Sequence, residues 1–131
     1  MSFSLDTDTI STHLRRAHAL TSRFVQYGGR LYLSTISLGE LFAWAYKRDT
    51  VKRLRIVDEF LPQLVRLAFD DACAEEFGKL RGLLLRQGIS VPTADLMIAA
   101  TARVHDLTLV THNTADFARV PDLRLEDWLA S

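Results

Sequence analysis

The 131-residue sequence predicts one α/β domain, residues 1–131, with a central, mainly parallel sheet flanked by helices. Short apolar runs rich in β-branched and aromatic residues alternate along the chain with segments of helical period. Such alternation requires crossover connections, which place helices on both sides of a parallel sheet. No repeat, low-complexity segment or linker interrupts it, so a single domain is expected.

The first half of the chain predicts two strands and four helices. Helical segments place apolar side chains three or four positions apart, as at Leu38, Leu41 and Ala45. Gly28-Gly29 and Pro62 mark helix ends. The predicted elements are a strand at 3–6, helices at 7–14 and 17–26, a strand at 31–36, and helices at 37–47 and 51–61.

The second half predicts two further strands, two helices and a short final element. Phe77, Leu80 and Leu84 lie on one face of a long helix that Gly88 ends, and Pro92 lies near the start of the next helix. The predicted elements are a strand at 64–68, helices at 70–87 and from about 92 to 105, a strand at 107–111, and a strand or short helix at 124–128.

Composition excludes several classes of protein. The chain is 48% hydrophobic, and its 16 basic and 16 acidic residues balance, so nothing in the total charge indicates nucleic-acid binding. No apolar run approaches the roughly 20 residues of a membrane span, and no secretory signal is visible. Cys73 is the only cysteine, which excludes an internal disulfide and a multi-thiolate metal site. We interpret it as a small core residue in a protein expected to be cytoplasmic.

Four acidic residues carry the main functional signal. Asp6 and Asp116 follow short apolar runs, Glu40 follows another, and Asp95 opens an apolar helical stretch. In a parallel α/β sheet the carboxyl ends of the strands share one edge, where ligands bind. We therefore expect these four carboxylates to meet there and to hold a hard divalent cation.

Each acid also fits an ordinary role at a helix N-terminus, as a cap or as a negative charge in the first turn. The residues that fit such a role are Ser37 with Glu40, Asn113 with Asp116, Asp6, and Asp95. Caps do not require four negative charges to crowd one edge, and crowded carboxylates raise one another's pKa unless a cation holds them. A site made only of oxygen ligands suits Mg²⁺ or Mn²⁺, whereas zinc usually recruits His or Cys.

A run of basic residues could contact the phosphates of a bound ligand or could simply be a solvated helix face. Its members are Lys47, Arg48, Lys52, Arg53 and Arg55. A second candidate set is Lys79, Arg81 and Arg86. Of the histidines, only His112 lies near the proposed site, where it could contact substrate or lie in a surface loop.

Four segments carry a resemblance to the PIN domain, in the order and spacing of that family. They read LDTD at 5–8, SLGEL at 37–41, ADLMIAATA at 94–102 and LVTHNTADF at 109–117. The whole chain, including VPDLRLEDW at 120–128, resembles a VapC-type toxin ribonuclease of a bacterial type II toxin–antitoxin pair. The resemblance implies a PIN-like three-layer fold.

The same resemblance implies roles for individual residues. It implies that the family's metal-binding and catalytic quartet is Asp6, Glu40, Asp95 and Asp116. Thr7, Thr111 and Asn113 would donate hydrogen bonds that orient these acids. Many relatives have Asn at position 8, where this chain has Asp8. Asp8 would add a fifth acid to the site or cap the first helix.

The resemblance further implies an endoribonuclease, dependent on Mg²⁺ or Mn²⁺, whose products carry 3′-hydroxyl and 5′-phosphate ends. A homodimer and a cognate antitoxin are implied as well. The segment 38–61 is unusually rich in large apolar residues, which either pack in the core or form a groove for an amphipathic antitoxin helix. The candidates are Leu41, Phe42, Trp44, Tyr46, Phe60 and Leu61.

Two other functions remain open from the sequence. Asp6-Thr7-Asp8 after a first strand fits an Asp-x-Asp phosphatase, although no lysine lies in the expected downstream context. The chain could also be a catalytically silent binding module that keeps the fold, although the intact quartet argues against this.

Overall fold

The computed structural model describes residues 1–15, 20–48 and 50–129, without the side chains of Arg48, Thr50, Lys52 and Leu54. The strands are β1 (Phe3–Leu5), β2 (Leu31–Ser34), β3 (Val65–Leu67), β4 (Thr108–Val110) and β5 (Leu125–Glu126). The helices are α1 (Thr7–Arg15), α2 (Thr21–Gln26), α3 (Thr35–Arg48), α4 (Thr50–Arg55), α5 (Asp71–Arg86), α6 (Thr93–Val104) and α7 (Thr114–Phe117).

The strands form one sheet in the order β3-β2-β1-β4-β5, and every neighbouring pair is parallel. The α/β class predicted from the sequence is confirmed, and the uncertain last element is a strand. Because β1 lies between β2 and β4, the chain leaves it towards one side of the sheet and later returns on the other. The crevice at such a reversal is where parallel sheets bind ligands.

The two faces of the sheet bury separate cores. Phe3 and Leu5 of β1 pack with α1, α2 and α3 on one face. Leu109 of β4 packs with α5 and α6 on the other, where α6 contributes a nearly continuous buried run from Leu96 to Ala102. Cys73 is buried, as interpreted from the sequence. None of the described helices combines the length and the apolar character that crossing a bilayer requires.

Two elements differ clearly from the sequence-based prediction. Helix α3 begins at Thr35 and not at Ser37, because the Ser34 hydroxyl accepts from the backbone N–H groups of Ile36 (3.0 Å) and Ser37 (3.4 Å). The proposed capping box of Ser37 with Glu40 is therefore wrong, since Ser34 is the cap. The predicted helix at 51–61 is α4 followed by a π-helical turn at Ile56–Phe60. Residues 17–19 of the predicted second helix lie outside the described residues.

Candidate active site

Asp6 lies directly after β1 and is 6% exposed. One carboxylate oxygen accepts from the Thr7 backbone N–H and the other from the Thr111 hydroxyl, each at 2.8 Å. Burial, followed by the charge of Asp8, raises the pKa of Asp6 to about 7, although both hydrogen bonds act in the opposite direction. The predicted contact of Thr7 and Thr111 with an acid is present in the structure.

Glu40 lies in α3, is exposed, and reaches towards the same edge. Its Oε1 accepts from the Thr7 hydroxyl at 2.8 Å, and that hydroxyl also lies 3.4 Å from the Ser37 carbonyl oxygen. Thr7 thus bonds Asp6 through its backbone and Glu40 through its side chain. This single residue links two acids that are separated by 34 positions in the sequence.

Asp95 lies in the first turn of α6 and is half-buried. Burial is the largest cause that raises its pKa, followed by the negative charges of Glu40, Asp116 and Asp8. Asp6 also feels the charge of Asp95. Asp95 therefore lies within electrostatic reach of each of the other three predicted acids.

Asp116 lies in α7 and is oriented by Asn113. The Asn113 side-chain amide donates to Asp116 at 3.1 Å, and the Asn113 backbone N–H donates to the Thr111 hydroxyl at 3.0 Å. Asn113 makes no side-chain capping bond to α7. The capping interpretation of this pair is wrong, and the contact of Asn113 with the last acid is present.

Asp8 takes part in the site in a way that the sequence left open. Its carboxylate accepts from the backbone N–H of His112 at 3.2 Å and so ties the start of α1 to the loop after β4. Its negative charge also raises the pKa of both Asp6 and Asp95. Asp8 is therefore a fifth negative charge at this edge.

The donors around the acids are neutral. Within the part of the chain that the structure describes, no Lys or Arg lies within ion-pair distance of Asp6, Glu40, Asp95 or Asp116. Across the same residues, no three acidic, His or Cys side chains are gathered into a ready-made metal site. A cation here would draw the carboxylates inwards or reach them through water, as Mg²⁺ commonly does.

One contact at this edge was not predicted from the sequence. The Nδ1 atom of His112 lies 2.9 Å from the Asp127 carboxylate. His112 follows β4 and Asp127 follows β5, and these strands are parallel neighbours with Val110 opposite Glu126. The pairing of the two strands creates the contact, so no local pattern in the sequence could have shown it.

The predicted basic residues differ in their exposure and contacts. Lys47 is exposed, Arg53 is half-buried, and the side chains of Arg48 and Lys52 lie outside the described residues. Arg55 is partly engaged, with Glu59 at 3.5 Å and the Leu14 carbonyl at 3.4 Å.

In the second set, Lys79 and Arg86 are exposed. Arg81 donates to the Val91 carbonyl (2.7 Å) and to the Thr93 hydroxyl (3.2 Å), so it holds the loop between α5 and α6. Its structural role makes a phosphate contact by Arg81 the weakest of these predictions.

The residues predicted to bind an antitoxin also differ in their burial. Leu41 and Phe60 are 0% and 2% exposed, so their assignment to a surface groove is wrong. Both side chains pack in the core on the α3 side of the sheet, because each lies on the buried face of its own helical segment. Phe42, Trp44 and Leu61 are partly buried against that core, whereas Tyr46 is 57% exposed. Val51, which the prediction omitted, is 62% exposed.

Comparison with known proteins identifies full-length relatives. The model of the PIN domain matches residues 4–123. The chain is 37% identical over 130 residues to the "tRNA(fMet)-specific endonuclease VapC" of Shigella flexneri, covering 98% of each chain. It is 34% identical over 131 residues to the "Ribonuclease VapC2" of Haemophilus influenzae, covering 98% of this chain and 99% of the relative.

Solved structures agree with these relatives. DNA-bound VapBC from Salmonella typhimurium contains a chain that superposes with a TM-score of 0.89 at 34% identity, covering 98% of both chains. VapBC2 from Rickettsia felis, bound to a promoter DNA fragment, also gives a TM-score of 0.89, at 28% identity, covering 98% of this chain and 99% of its own.

Proposed function

This chain belongs to the PIN-domain family, among its VapC ribonucleases, and we propose that it is a metal-dependent endoribonuclease and the toxin of a toxin–antitoxin pair. The observation that carries the proposal is the uncompensated negative charge of Asp6, Glu40, Asp95 and Asp116 at the carboxyl ends of the strands. Full-length similarity to VapC proteins favours this function over an Asp-x-Asp phosphatase or a silent binding module.

The acids fit a divalent cation. PIN-domain nucleases generally depend on divalent metal ions. The donors here are all carboxylate oxygens, and burial followed by neighbouring negative charges raises the pKa of Asp6 and Asp95. We propose Mg²⁺ or Mn²⁺ as the ion, because oxygen ligands suit both. When bound, the ion supplies Lewis acidity at a phosphate oxygen and lowers the pKa of a bound water.

The chain's own residues prepare this edge. Asp6 is held on both oxygens before any ligand binds. Thr7 orients Glu40 and Asn113 orients Asp116, and these neutral donors leave the negative charge of the acids intact. The carboxylates would hold the ion and accept the proton of the attacking water, leaving 3′-hydroxyl and 5′-phosphate ends.

Purified protein and a labelled RNA test the activity. Wild type should cleave in Mg²⁺ or Mn²⁺, lose cleavage in excess EDTA, and recover it when the metal is restored. Asp95→Asn keeps the side-chain shape but removes a charge, and should cleave on the order of 100-fold more slowly or worse. Asp122→Asn is the matched control, since Asp122 is exposed and its positive φ of 56° also suits Asn. Full cleavage by Asp95→Asn, or cleavage that survives chelation, would contradict the metal assignment.

The name of the Shigella relative suggests which RNA to test first. That protein is named for specificity towards tRNA(fMet), and we propose the initiator transfer RNA as a candidate substrate of this chain. Lys47, Arg48, Lys52, Arg53 and Arg55 remain candidates for phosphate contacts that position such a substrate. Sequencing of RNA 5′ ends after brief induction, with Asp95→Asn as the control, would locate the cleavage site.

A cognate antitoxin is the proposed protein partner. The two solved relatives are VapBC complexes. In this chain α3 exposes Tyr46 and α4 exposes Val51, while Phe42, Trp44 and Leu61 are only partly buried against the core. We propose that an amphipathic antitoxin segment covers these side chains. A homodimer and a cytoplasmic location stay predictions.

Co-expression with a candidate antitoxin tests the surface. Tyr46→Ala with Val51→Ala should weaken the complex by about tenfold or more, because each side chain loses apolar contact area on the partner. Leu85→Ala is the control, since Leu85 is a similarly exposed apolar residue on α5, with 61% exposure. Equal weakening by both changes would remove the support for this surface.

A further inference from the structure

The loop after β4, whose residues bond the acids, also carries the imidazole of His112. Residues 111–113 each donate a hydrogen bond to a different carboxylate, namely Asp6, Asp8 and Asp116 in that order. The middle residue, His112, uses only its backbone N–H for this contact. Its backbone is therefore fixed at the site, while 62% of its side chain is exposed.

Asp127 determines which nitrogen of the His112 ring carries the hydrogen. One Asp127 oxygen accepts from the Leu129 backbone N–H at 2.9 Å, and the other lies 2.9 Å from His112 Nδ1. An ionised carboxylate can only accept hydrogen bonds, so Nδ1 must donate. In the neutral ring, Nε2 is then an acceptor. Among the described residues, Nε2 has no hydrogen-bond partner.

We propose that His112 Nε2 accepts a hydrogen bond from a ribose 2′-hydroxyl next to the cleaved phosphate, so that the His112–Asp127 pair selects RNA over DNA. This inference rests on the proposed ribonuclease function. The 2′-hydroxyl is the donor that RNA has and DNA lacks. A hydrogen bond to this hydroxyl identifies RNA without a further phosphate contact at an edge whose carboxylates already repel phosphates.

Asp127→Asn provides a specific variant because it reverses the hydrogen-bonding direction. The amide oxygen must keep accepting from Leu129, so the amide NH₂ group faces His112 Nδ1. Nδ1 then becomes the acceptor and Nε2 carries the hydrogen. The ring stays in place, but it can no longer accept from a hydroxyl.

The test compares an all-ribose oligonucleotide with a series that carries one 2′-deoxy residue at each position around the cleavage site. For wild type, one position should lower kcat/KM by about 3- to 10-fold, the effect of one neutral hydrogen bond. His112→Ala and Asp127→Asn should both lose this penalty. His105→Ala is the control and should keep it, because His105 is an exposed histidine at the far end of α6.

Binding gives a readout that does not depend on catalysis. In the Asp95→Asn background, the same single 2′-deoxy substitution should weaken binding to the parent but not to the His112→Ala double variant. Imidazole ¹⁵N spectra should show the hydrogen of wild-type His112 on Nδ1 and should show it on Nε2 in Asp127→Asn. Spectra that place it on Nε2 in wild type would overturn the proposal.

The other outcomes are also decisive. Retention of the 2′-deoxy penalty by His112→Ala overturns the proposal, and so does an equal loss of RNA and single-stranded DNA binding, which would indicate a phosphate contact. If wild type cleaves RNA in either case, the ribonuclease function stands and only this inference fails. If wild type cleaves no RNA under any metal condition, the proposed function itself has failed.

Discussion

At the amino end of β4, Arg124 binds Asp106 at 2.8 Å, and Arg103 of the preceding helix binds Glu76 at 2.8 Å. At the carboxyl end of the same strand, Thr111 and its neighbours bond carboxylates for which the described residues supply no cation. Helix α6 runs between the two ends, with Asp95 in its first turn and Arg103 in its last. The amino end, with its two ion-paired arginines, is the paired end, whereas the acids at the carboxyl end, the unpaired end, have no cationic partner among the described residues.

This difference separates stability from function. Paired charges need no further ligand, and removal of one partner costs most where the other is largely buried, as in the pair of Arg103 with Glu76. Crowded carboxylates cost stability because burial and mutual repulsion oppose their ionisation, as the raised pKa of Asp6 shows. A ligand with positive charge would remove that cost. The unpaired end is therefore the end at which we expect a positively charged ligand to bind.

The largest expected effect is on cleavage at the unpaired end. Asp6→Asn should lower the rate of RNA cleavage by roughly 100- to 1000-fold, because it removes a charge that is held in place on both oxygens. The fold should be retained, since Asn can keep the bond from the Thr7 backbone N–H. Single-turnover cleavage and circular dichroism measure the two quantities, and a folded variant with normal cleavage would contradict the assignment.

The next effect is on the pH dependence of stability in metal-free protein. Between about pH 4 and pH 7, Asp6 is protonated in the native state and ionised in the unfolded chain. The stability that protonated Asp6 contributes is fully present below the pKa of Asp6 in the unfolded chain. It is lost as the pH rises through the native pKa of Asp6. Asp6→Asn cannot ionise, so at pH 8 it should be more stable than wild type by on the order of 2–4 kcal/mol.

Urea unfolding with chelator at pH 5 and pH 8 measures this difference. The advantage of Asp6→Asn should be distinctly smaller at pH 5, because most of the loss has yet to occur there. Asp122→Asn, at the amino end of the strands, should show no comparable change with pH. An advantage of the same size at both pH values would show that ionisation of Asp6 is not its cause.

Metal binding should reverse the cost of the unpaired end. At about 100 times its Kd, a ligand specific to the native state adds about 2.7 kcal/mol of stability. Mn²⁺ should therefore raise the Tm of wild type by about 5–10 °C and raise that of Asp95→Asn much less. Thermal unfolding with and without Mn²⁺ measures the shift. Equal shifts in both proteins would locate the ion elsewhere.

The smallest effects are expected at the paired end. Arg103→Ala should lower the free energy of unfolding by about 1–3 kcal/mol, because Glu76 and the Pro121 carbonyl lose their partner in a mostly buried setting. Arg124→Ala should cost less than about 1 kcal/mol, since that pair is exposed. Cleavage per folded molecule should stay normal in both. A strong loss of cleavage in Arg103→Ala would show that the two ends are coupled through α6.

Local pattern was enough to predict much of this molecule. The strands and helices follow hydrophobic period, and the acids stand at the junctions between them, so a parallel sheet could be expected to gather them at one edge. Boundaries were less certain because a single hydroxyl moved one of them: Ser34 caps α3 two residues before the predicted start. Leu41 and Phe60 were misassigned because a large apolar residue on a helix has the same sequence pattern whether it faces a core or a partner.

The sequence by itself determined the fold class and the positions of the acids, because period and element junctions are properties of neighbouring residues. Tertiary structure alone decided how those acids are held. Thr7 joins Asp6 to Glu40, Asp8 reaches the loop after β4, and Asp127 meets His112 across two parallel strands. These contacts link residues that are distant in the sequence. The residues come within bonding distance only when the sheet has formed, so the order of residues alone does not reveal the contacts.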